Sequence, residues 1–523
     1  MEFSTSLEEI LNMYKSKQKT YTENGAVSYA SSGKSLLDFN FSITTLRSEN
    51  WKNIGNEFSK AFYENPEVAT VYWFYCMDVM EGLGERNITK GIMLWMIENH
   101  PEIVEKVMKF ISNYNRWDTF ILLCDPNFNK NEELRKKALY ILKMQFIYDL
   151  KKINVGSKES ISLLGKWMPS ENASSNESKR MARQLMRDWN IKPRNYRKAL
   201  VLLRKRLNVV ECSMSANEWF NINYNYVPSK ANLNYSNAFM RHDEERRQEY
   251  LASLKNGNAK INSKVLAPYE IVRDYRYNSY SATKVYDETL EQLWKNLPNY
   301  QLNDVLVIRD GSGSMTDRVT GNTTCLDIAT SLAIYAAEHN SKQWKNKFIT
   351  FSSNPEFVNM QNCRSLREKI VLCNRYDDCS NTDIYKTMKL ILNTAISNGY
   401  KQKEMPKSIL IISDMQFDNK HEYSLYSHYK HGMFNYDETL FESIKTEYMA
   451  AGYKLPKIIF WNVDSRGNKT IPMQSNELGM MLVSGFSANI FKAVLGDEFD
   501  PYLQLLKILN NDRYKPVREA LLA

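Results

Sequence analysis

The feature that most constrains the fold is a change in hydrophobic pattern near residue 300 of the 523-residue chain. Beyond it, short runs of consecutive apolar residues alternate with segments of helical periodicity. Such runs are typical of strands buried on both faces of a parallel sheet. With the intervening helices 326–339 and 383–396, they predict a doubly wound, mostly parallel α/β domain over residues 299–496. The predicted strands are 305–310 (VLVIRD), 347–353 (KFITFSS), 408–414 (SILIISD), 457–464 (KIIFWNVD) and 480–486 (MMLVSGF).

The first half of the chain has a different pattern. From about residue 39 to residue 277, apolar residues recur at helical spacing, and proline and polar clusters separate the segments. This predicts an all-α domain of stacked helix pairs over residues 36–298, with no clear repeat period. Residues 1–35 are assigned to an N-terminal segment. Residues 497–523 are assigned to a C-terminal helix, with Leu503, Leu506 and Leu509 on its packing face, and a tail.

Composition excludes several classes of protein. Hydrophobic residues make up 43% and charged residues 25% of the chain, as in ordinary globular proteins. No apolar run has the length of a membrane span, and the charged, amphipathic N-terminus lacks the apolar core of a signal peptide. The seven cysteines are odd in number and form no CxxC pair. We therefore expect reduced thiols and a cytoplasmic location.

Three loops near the carboxyl ends of the predicted strands carry oxygen-bearing side chains. Asp310 ends the first strand and is followed by Ser312 and Ser314, and Asp414 ends the strand at 408–414. Thr382, just before the helix at 383–396, supplies the third loop. Because ligands of parallel α/β sheets bind beyond the carboxyl ends of the strands, these loops are expected to converge at one edge. The predicted metal ligands are Asp310, Ser312, Ser314, Thr382 and Asp414.

The donor types indicate which ion such a site would hold. Hard oxygen donors without imidazole or thiolate favour Mg²⁺ or Mn²⁺, with water or a partner's oxygen in the remaining positions. Thr387 lies nearby and is an alternative to Thr382, whose preceding loop (374–381, NRYDDCSN) is unusually charged. A further alternative is that Asp310 and Ser314 only cap a helix, which suits one loop but not three. No pairing of a nucleophile with a base is recognisable, so a non-enzymatic protein is favoured.

Positive charge is concentrated in the helical half. Of the 69 Lys and Arg and the 60 Asp and Glu in the chain, residues 301–523 hold 26 and 25, which leaves 43 basic against 35 acidic residues in residues 1–300. Residues 179–206 alone contain eleven Lys or Arg and one acidic residue. Two helices there would bury an apolar stripe and expose arginines, which suit bidentate phosphate contacts. The predicted RNA-binding residues are Arg180, Arg183, Arg187, Lys192, Arg194, Arg197, Lys198 and Arg204.

Two questions about this basic stretch stay open at the level of sequence. A charge run is often only a solvated helix face, and that is the alternative to nucleic-acid binding. Aromatic side chains that stack on bases could add affinity. Trp167, Trp189 and Tyr196 are the candidates, and the sequence does not choose among them.

The motifs also resemble known families. The D-x-S-x-S motif at 310–314, with Thr382 and Asp414, resembles the metal-ion-dependent adhesion site (MIDAS) of von Willebrand factor A domains. That resemblance implies an ion whose open position accepts a carboxylate from a protein partner, with no reaction. A helical domain before such a domain resembles the Ro autoantigen architecture, in which a ring of HEAT-like repeats, the TROVE module, binds RNA.

A closer resemblance covers most of the chain from about residue 22. It is to an uncharacterised Ro-related family of plants, fungi and large viruses, and it implies the same TROVE-like and A-type domains. The segments that carry it are TENGAVSYASSGKSLLDF, DVMEGLGER, NRWDTF, ISLLGKWMPSENASS, YRKALVLLRKRLNVVE, YVPSKANLNYSNAFMRHDEER, SDMQFD and LVSGFS.

Three functional hypotheses follow. The first is a non-enzymatic RNA-binding scaffold with a Mg²⁺-dependent A-type domain for a protein partner, acting in RNA quality control or ribonucleoprotein assembly. The second is a protein-adhesion module whose metal binds an acidic partner group, without RNA. The third, ranked below these, is a metal-dependent hydrolase at Asp310 and Asp414, which would lack the paired metals or general base usual for such chemistry.

Overall fold

The computed structural model describes residues 19–21, 27–276, 284–377, 382–415, 440–463, 480–491 and 500–523. The chain divides into two compact units. The helical unit comprises residues 50–265 and 509–523, and the sheet unit comprises residues 1–49 and 266–508. Among the residues described, no helix has the length and apolar character needed to cross a membrane.

The predicted all-α character of the helical unit is confirmed, since every regular element in residues 50–265 and 509–523 is a helix. Short 3₁₀ turns lie at Met108–Phe110, Leu122–Cys124, Trp219–Asn221, Tyr224–Tyr226 and Asp512–Tyr514. The α-helices are Trp51–Glu64, Pro66–Met77, Arg86–Asn99, Pro101–Val107, Ile111–Tyr114, Trp117–Ile121, Glu132–Asn154, Leu164–Trp167, Asn176–Asp188, Pro193–Arg206, Val210–Ser215, Ser229–Asn234, Ser236–His242, Glu244–Lys255 and Lys515–Leu522.

Several of these helices begin where the sequence supplies a capping side chain. The side chains of Asn50, Asn65, Asn131 and Ser175 each accept a hydrogen bond from the backbone N–H three residues further on. Each of these bonds satisfies one N–H group that has no partner within the helix. Pro66 follows Asn65 in the first turn, where the missing N–H of proline costs nothing.

The C-terminal segment differs from the prediction. The expected helix is present as Pro501–Leu509, but Leu503 is 49% exposed, whereas Leu505 and Leu509 are buried. The expected tail contains a further helix, Lys515–Leu522, that packs against other helices of the helical unit. Three-residue spacing of leucines predicted a helix correctly here, but it did not identify the buried face.

The sheet unit is built around a six-stranded sheet with the order β6-β5-β4-β1-β2-β3. All neighbouring strands are parallel except β2 and β3. All five predicted strands are present. The edge strand β3 was not predicted, because only its middle residue is fully buried. The strands are β1 Val305–Asp310, β2 Lys347–Phe351, β3 Phe357–Asn359, β4 Ser408–Ser413, β5 Lys457–Asn462 and β6 Met480–Ser484.

Helices and two small ribbons complete the sheet unit. The antiparallel ribbons pair Lys19–Tyr21 with Val27–Tyr29, and Arg318–Thr320 with Thr323–Thr324. The predicted crossover helices are present as Cys325–Glu338 and Ile384–Ser397. The other α-helices are Ser35–Phe41, Ile43–Leu46, Pro268–Tyr275, Glu288–Lys295, Leu366–Cys373, Leu440–Ala450 and Pro501–Leu509.

Two helical segments that we placed in the helical domain, 36–49 and 266–298, lie in the sheet unit. Leu37 and Phe41 belong to the same buried cluster as Ile308 of β1. The Pro268–Tyr275 helix packs against the Cys325–Glu338 helix. Helical periodicity identified these segments as helices, but it carries no information on which core their apolar side joins.

Candidate metal centre and basic helix face

The two carboxylates of the predicted metal site lie on adjacent strands. Strands β1 and β4 are parallel neighbours with Arg309 opposite Ile412, so that Asp310, the last residue of β1, is level with Ser413. Asp414 follows directly after β4. Asp310 is fully buried and Asp414 is 2% exposed. The structure therefore brings the ends of two of the three predicted segments together at one edge of the sheet.

Asp310 is held by hydrogen bonds from both of these loops. The backbone N–H of Ser312 donates to Oδ1 at 2.9 Å, and the Ser413 hydroxyl donates to Oδ2 at 2.5 Å. Burial and the nearby carboxylate of Asp414 raise the pKa of Asp310 to about 7. Two buried carboxylates that repel each other are what a bound cation would stabilise. Sequence reasoning did not identify Ser413, although it directly precedes the strand-terminal Asp414.

The predicted hydroxyl donors occupy the loop after β1. Ser312 precedes the 3₁₀ turn Gly313–Thr316, and its Oγ lies 2.9 Å from Oγ of Ser314. Ser312 is 8% exposed. The loop thus brings two hydroxyl oxygens together within four residues of the buried Asp310, a donor set of the kind that Mg²⁺ accepts.

The hydroxyl predicted from the third segment belongs to a buried residue, Thr382. Thr382 is 3% exposed and lies two residues before the Ile384–Ser397 helix, whose N-cap is Asp383. The alternative residue, Thr387, lies inside the helix and donates its hydroxyl to the carbonyl oxygen of Asp383 at 2.8 Å.

A buried ion-pair network fastens the loop that leads towards Thr382 onto β1. The guanidinium of Arg309, which is 1% exposed, donates to Asp377 and, through Nε, to the hydroxyl of Thr330. Arg276 donates to the other carboxylate oxygen of Asp377 at 3.1 Å. We did not predict these residues as part of the site. The signal was available, because an arginine within an otherwise apolar buried strand needs a charged partner.

Gly311 lies where this loop approaches β1 most closely. A Cβ atom at this position would lie 2.8 Å from the carbonyl oxygen of Tyr376, a backbone atom that cannot turn aside. The glycine between Asp310 and Ser312 therefore allows the two loops to pack against each other, a role that the D-x-S-x-S motif alone does not explain.

We predict that Gly311→Ala lowers the free energy of unfolding of the sheet unit by about 1–3 kcal/mol, the usual cost of overpacking a close contact. The same displacement should weaken Mg²⁺ binding, because it moves the segment that carries Thr382. Urea denaturation and calorimetric Mg²⁺ titration measure the two effects. An unchanged unfolding midpoint would show that the close approach does not constrain the loop.

The composition of the site restricts the ion. Over the described residues, no group of three or more His, Cys, Asp or Glu side chains is placed to hold a metal. The predicted donors are two carboxylates and three hydroxyls. This donor set fits Mg²⁺ or Mn²⁺ rather than zinc or copper.

The basic stretch forms two consecutive helices with the predicted buried side. On the Asn176–Asp188 helix, Met181 and Leu185 are buried, and on the Pro193–Arg206 helix, Leu200 and Leu203 are buried. A shallow pocket of about 410 Å³ on the second helix is lined by Arg194, Arg197, Lys198, Val201 and Leu202. Six of the eight predicted RNA-binding side chains are exposed, namely Arg183, Arg187, Lys192, Arg194, Arg197 and Lys198.

Among the six, Arg187 donates to the side-chain oxygen of Gln184 at 2.7 Å and Arg197 lies 3.6 Å from Glu171, both on the surface. The other two predicted RNA-binding residues are half-buried and more fully bonded within the fold. Both terminal nitrogens of Arg180 donate to the carboxylate of Asp125. Arg204 donates to the carbonyl oxygens of Gly165 and Met168 and to the hydroxyl of Ser170, at 2.8–3.1 Å. Arg180 is thus held by one buried carboxylate and Arg204 by three oxygen atoms of residues 165–170. Because both guanidinium groups are used within the fold, we do not retain Arg180 and Arg204 among the phosphate-binding candidates.

Comparisons with known proteins match the chain in two regions. Residues 22–113 and 174–306 match a domain of unknown function, DUF2828, and residues 304–511 match another, DUF7788. The uncharacterized protein L728 of Acanthamoeba polyphaga mimivirus is 28% identical over 531 residues, covering 95% of this chain and 88% of that protein. The viral source agrees with the large-virus part of the resemblance.

One solved structure similar to the chain is the crystal structure of the Deinococcus radiodurans RO (RSR) protein. The TM-score is 0.35 at 11% identity, over 91% of this chain and 93% of that one, which is too low to establish a common fold. The two domain matches meet at residues 304–306, where the hydrophobic pattern changes and β1 begins. The chain is therefore similar, in two consecutive regions, to two domains of unknown function.

Proposed function

We propose that the chain is a non-enzymatic RNA-binding scaffold, and that its sheet unit binds Mg²⁺ or Mn²⁺ to recruit a protein partner. The observation that carries the RNA part is the set of six exposed cationic side chains on two consecutive helices. Both helices bury their apolar sides, so these cations are not needed to complete the core. The charge excess of residues 1–300 favours a polyanionic partner for this half of the chain.

The nature of the cations supports phosphate as the ligand. Four of the six exposed residues are arginines, whose planar guanidinium binds two phosphate oxygens at once. The pocket on the second helix places Arg194, Arg197 and Lys198 beside the aliphatic side chains of Val201 and Leu202. Such a surface offers charge to a backbone phosphate and apolar contact to a sugar or base. The resemblance to the Ro architecture agrees with this proposal.

The metal part of the proposal rests on the pair Asp310 and Asp414. The ion is held by these two carboxylates, by the hydroxyls of Ser312 and Ser314, and by Thr382. It offers its remaining position to a carboxylate of a protein partner. If the cations of the helical unit prove to be only a solvated face, this centre alone would make the protein an adhesion module. The two buried carboxylates repel each other unless a cation lies between them, and this favours the adhesion module independently of RNA binding.

Replacing Arg183, Arg187 and Arg197 together with glutamine tests the RNA proposal. Each phosphate contact contributes roughly −0.7 to the slope of log K against log salt for single strands, so the variant's slope should be about two units flatter. Affinity should fall for many RNA sequences alike, since phosphate contacts position without reading bases. Filter-binding titrations over a range of salt concentrations measure both quantities.

A matched variant controls for charge. Replacing Lys60, Lys106 and Lys130 with glutamine removes the same charge from exposed positions outside the two helices. This control should bind RNA with nearly the wild-type slope. If the arginine variant and wild type have equal slopes and equal affinities, the basic stretch is only a solvated helix face and does not bind RNA.

A further inference from the structure

The Glu132–Asn154 helix presents a stripe of large side chains to solvent. Tyr140 is 65% exposed, Met144 47%, Ile147 46% and Tyr148 53%. Their spacing of four, three and one residues places them on one face of the helix. With a rise of about 1.5 Å per residue, the two tyrosines lie about 12 Å apart along the axis. An aromatic and aliphatic stripe of this size on a solvent-facing helix calls for a ligand.

The fold does not require this stripe. The opposite face of the same helix carries its packing residues, Leu134, Ala138, Leu142 and Phe146, which are all buried. The helix is therefore apolar on two sides, and only one of them contributes to the core. A single apolar side suffices to hold a surface helix.

The charge around the stripe indicates the partner. The one acidic residue between positions 134 and 155 is Asp149, which is 1% exposed and accepts hydrogen bonds from the backbone and hydroxyl of Ser162. Lys136, Lys137 and Lys151 are exposed on the stripe's side of the helix. Surface pairs with Glu132, Glu133 and Glu105 engage the first two, but such exposed pairs contribute little. These exposed glutamates lie at the N-terminal end of the helix and on the Pro101–Val107 helix, and none lies between Tyr140 and Tyr148. Aromatic rings with lysines nearby and no carboxylate among them suit a polyanion that carries flat rings.

This helix packs directly on the basic helices. The ring of Phe146 stacks on that of Tyr196 at 6.2 Å between centroids, and Arg135 pairs with Asp188 at 3.7 Å. Phe146 makes this contact from the buried face of the helix, opposite the stripe, so the stripe's helix and the basic helices belong to one packed group.

The aromatic residues that the sequence suggested for stacking are already engaged. Tyr196 is fully buried and donates its hydroxyl to the carbonyl of Pro169, and Trp189 is 7% exposed. Two cations lie against the ring of Trp167, the guanidinium of Arg116 at 4.2 Å and Nζ of Lys166 at 5.7 Å from its centroid. By contrast, Tyr140 is open to solvent, and Tyr148 has Lys152 on one face of its ring at 4.9 Å. A cation over one face still leaves the other face for a base.

We propose that Tyr140 and Tyr148 form a stacking platform for the bases of single-stranded RNA, with Met144 and Ile147 as its apolar floor. The inference rests on the proposed RNA binding and deepens it, because it specifies unpaired bases as ligands. Stacking is tolerant of sequence and independent of charge. The platform therefore adds affinity without adding to the salt dependence that the arginines confer.

The test compares variants of the full chain in binding a labelled oligouridine and an abasic ribose-phosphate strand of the same length. Replacing both Tyr140 and Tyr148 with alanine should weaken oligouridine binding by about tenfold or more, the loss expected for a stacked base or two. The salt slope and the affinity for the abasic strand should not change. Replacing both with phenylalanine keeps the rings and should keep the affinity.

The matched control replaces Tyr63 and Tyr226, which are 69% and 78% exposed, with alanine. This control should bind both strands like wild type. If the Tyr140 and Tyr148 alanine variant binds oligouridine like wild type while the arginine variant does not, the platform is wrong and RNA binding stands. If wild type binds neither strand, both proposals fall. An equal loss for the abasic strand, or loss of a wild-type dimer with RNA binding unchanged, would also overturn the platform.

Discussion

Replacing Asp310 with asparagine should abolish Mg²⁺ binding while the sheet unit stays folded. Asparagine keeps the shape of the side chain and an oxygen to accept the bond from Ser413, but it gives up the bond from the Ser312 N–H and removes the charge that an ion needs. Wild type should gain thermal stability with added Mg²⁺, since a ligand that binds only the folded state stabilises it. The variant should gain none. Calorimetric titration and thermal melts with and without Mg²⁺ measure both.

The pH dependence of the same variant gives a second readout. The folded pKa of Asp310, about 7, lies above the unfolded value of about 3.9. The carboxyl therefore favours folding below its unfolded pKa, and this contribution is lost as the pH rises through about 7. Metal-free wild type should thus become less stable between about pH 4 and pH 7 through this group, and Asp310→Asn should lose that part of the slope. Mg²⁺ stabilisation should grow over the same range, because the ion competes with the proton.

Asp304 provides a matched control at the other end of the same strand. It directly precedes β1, is 4% exposed, and pairs with Lys342 at 3.0 Å. Its φ of 58° is one that asparagine tolerates, so that Asp304→Asn changes charge without new backbone strain. This variant should bind Mg²⁺ like wild type. If Asp310→Asn also retains wild-type Mg²⁺ affinity, the metal centre is wrong.

Replacing Arg513 with methionine should lower the free energy of unfolding of the helical unit by about 3 kcal/mol or more, because it leaves a buried charge without its counter-ion. Arg513 donates to both oxygens of Asp78, which is fully buried. The Tyr514 hydroxyl lies 3.2 Å from the same carboxylate, and its ring stacks on Tyr114 at 5.7 Å. Urea denaturation followed by circular dichroism measures the loss.

Two comparisons separate this ion pair from a general effect of the C-terminal segment. Lys515→Met breaks an exposed pair with Glu519 and should cost less than about 1 kcal/mol. Adding Asp78→Asn to Arg513→Met should recover part of the loss, because the unpaired charge is then gone.

Deleting residues 510–523 should destabilise the helical unit at least as much as Arg513→Met. A deletion that unfolds like the full chain would show that the segment is not part of this unit.

Much of the architecture was predictable because it follows from the local pattern of apolar and polar residues. Strands β1, β2, β4, β5 and β6 are runs of apolar residues that only a sheet covered on both faces can bury. The edge strand β3 has no such run, and it forms because β2 offers it a free row of hydrogen-bonding groups. The placement of Asp310 and Asp414 at one edge was also predictable, since parallel strands direct their carboxyl ends the same way.

The sequence by itself determined the type of most elements and the polar residues at the strand ends, because periodicity and strand direction are properties of neighbouring residues. Tertiary structure alone decided which core each helix joins, and which charges are paired. The side chains of Arg180, Arg204 and Arg513 are all cations in the sequence, yet each bonds to an acceptor far away along the chain. Tyr140 and Tyr148 are exposed for the corresponding reason: the helix that carries them already buries its other face. Exposure and pairing depend on contacts between distant segments, which no local pattern specifies.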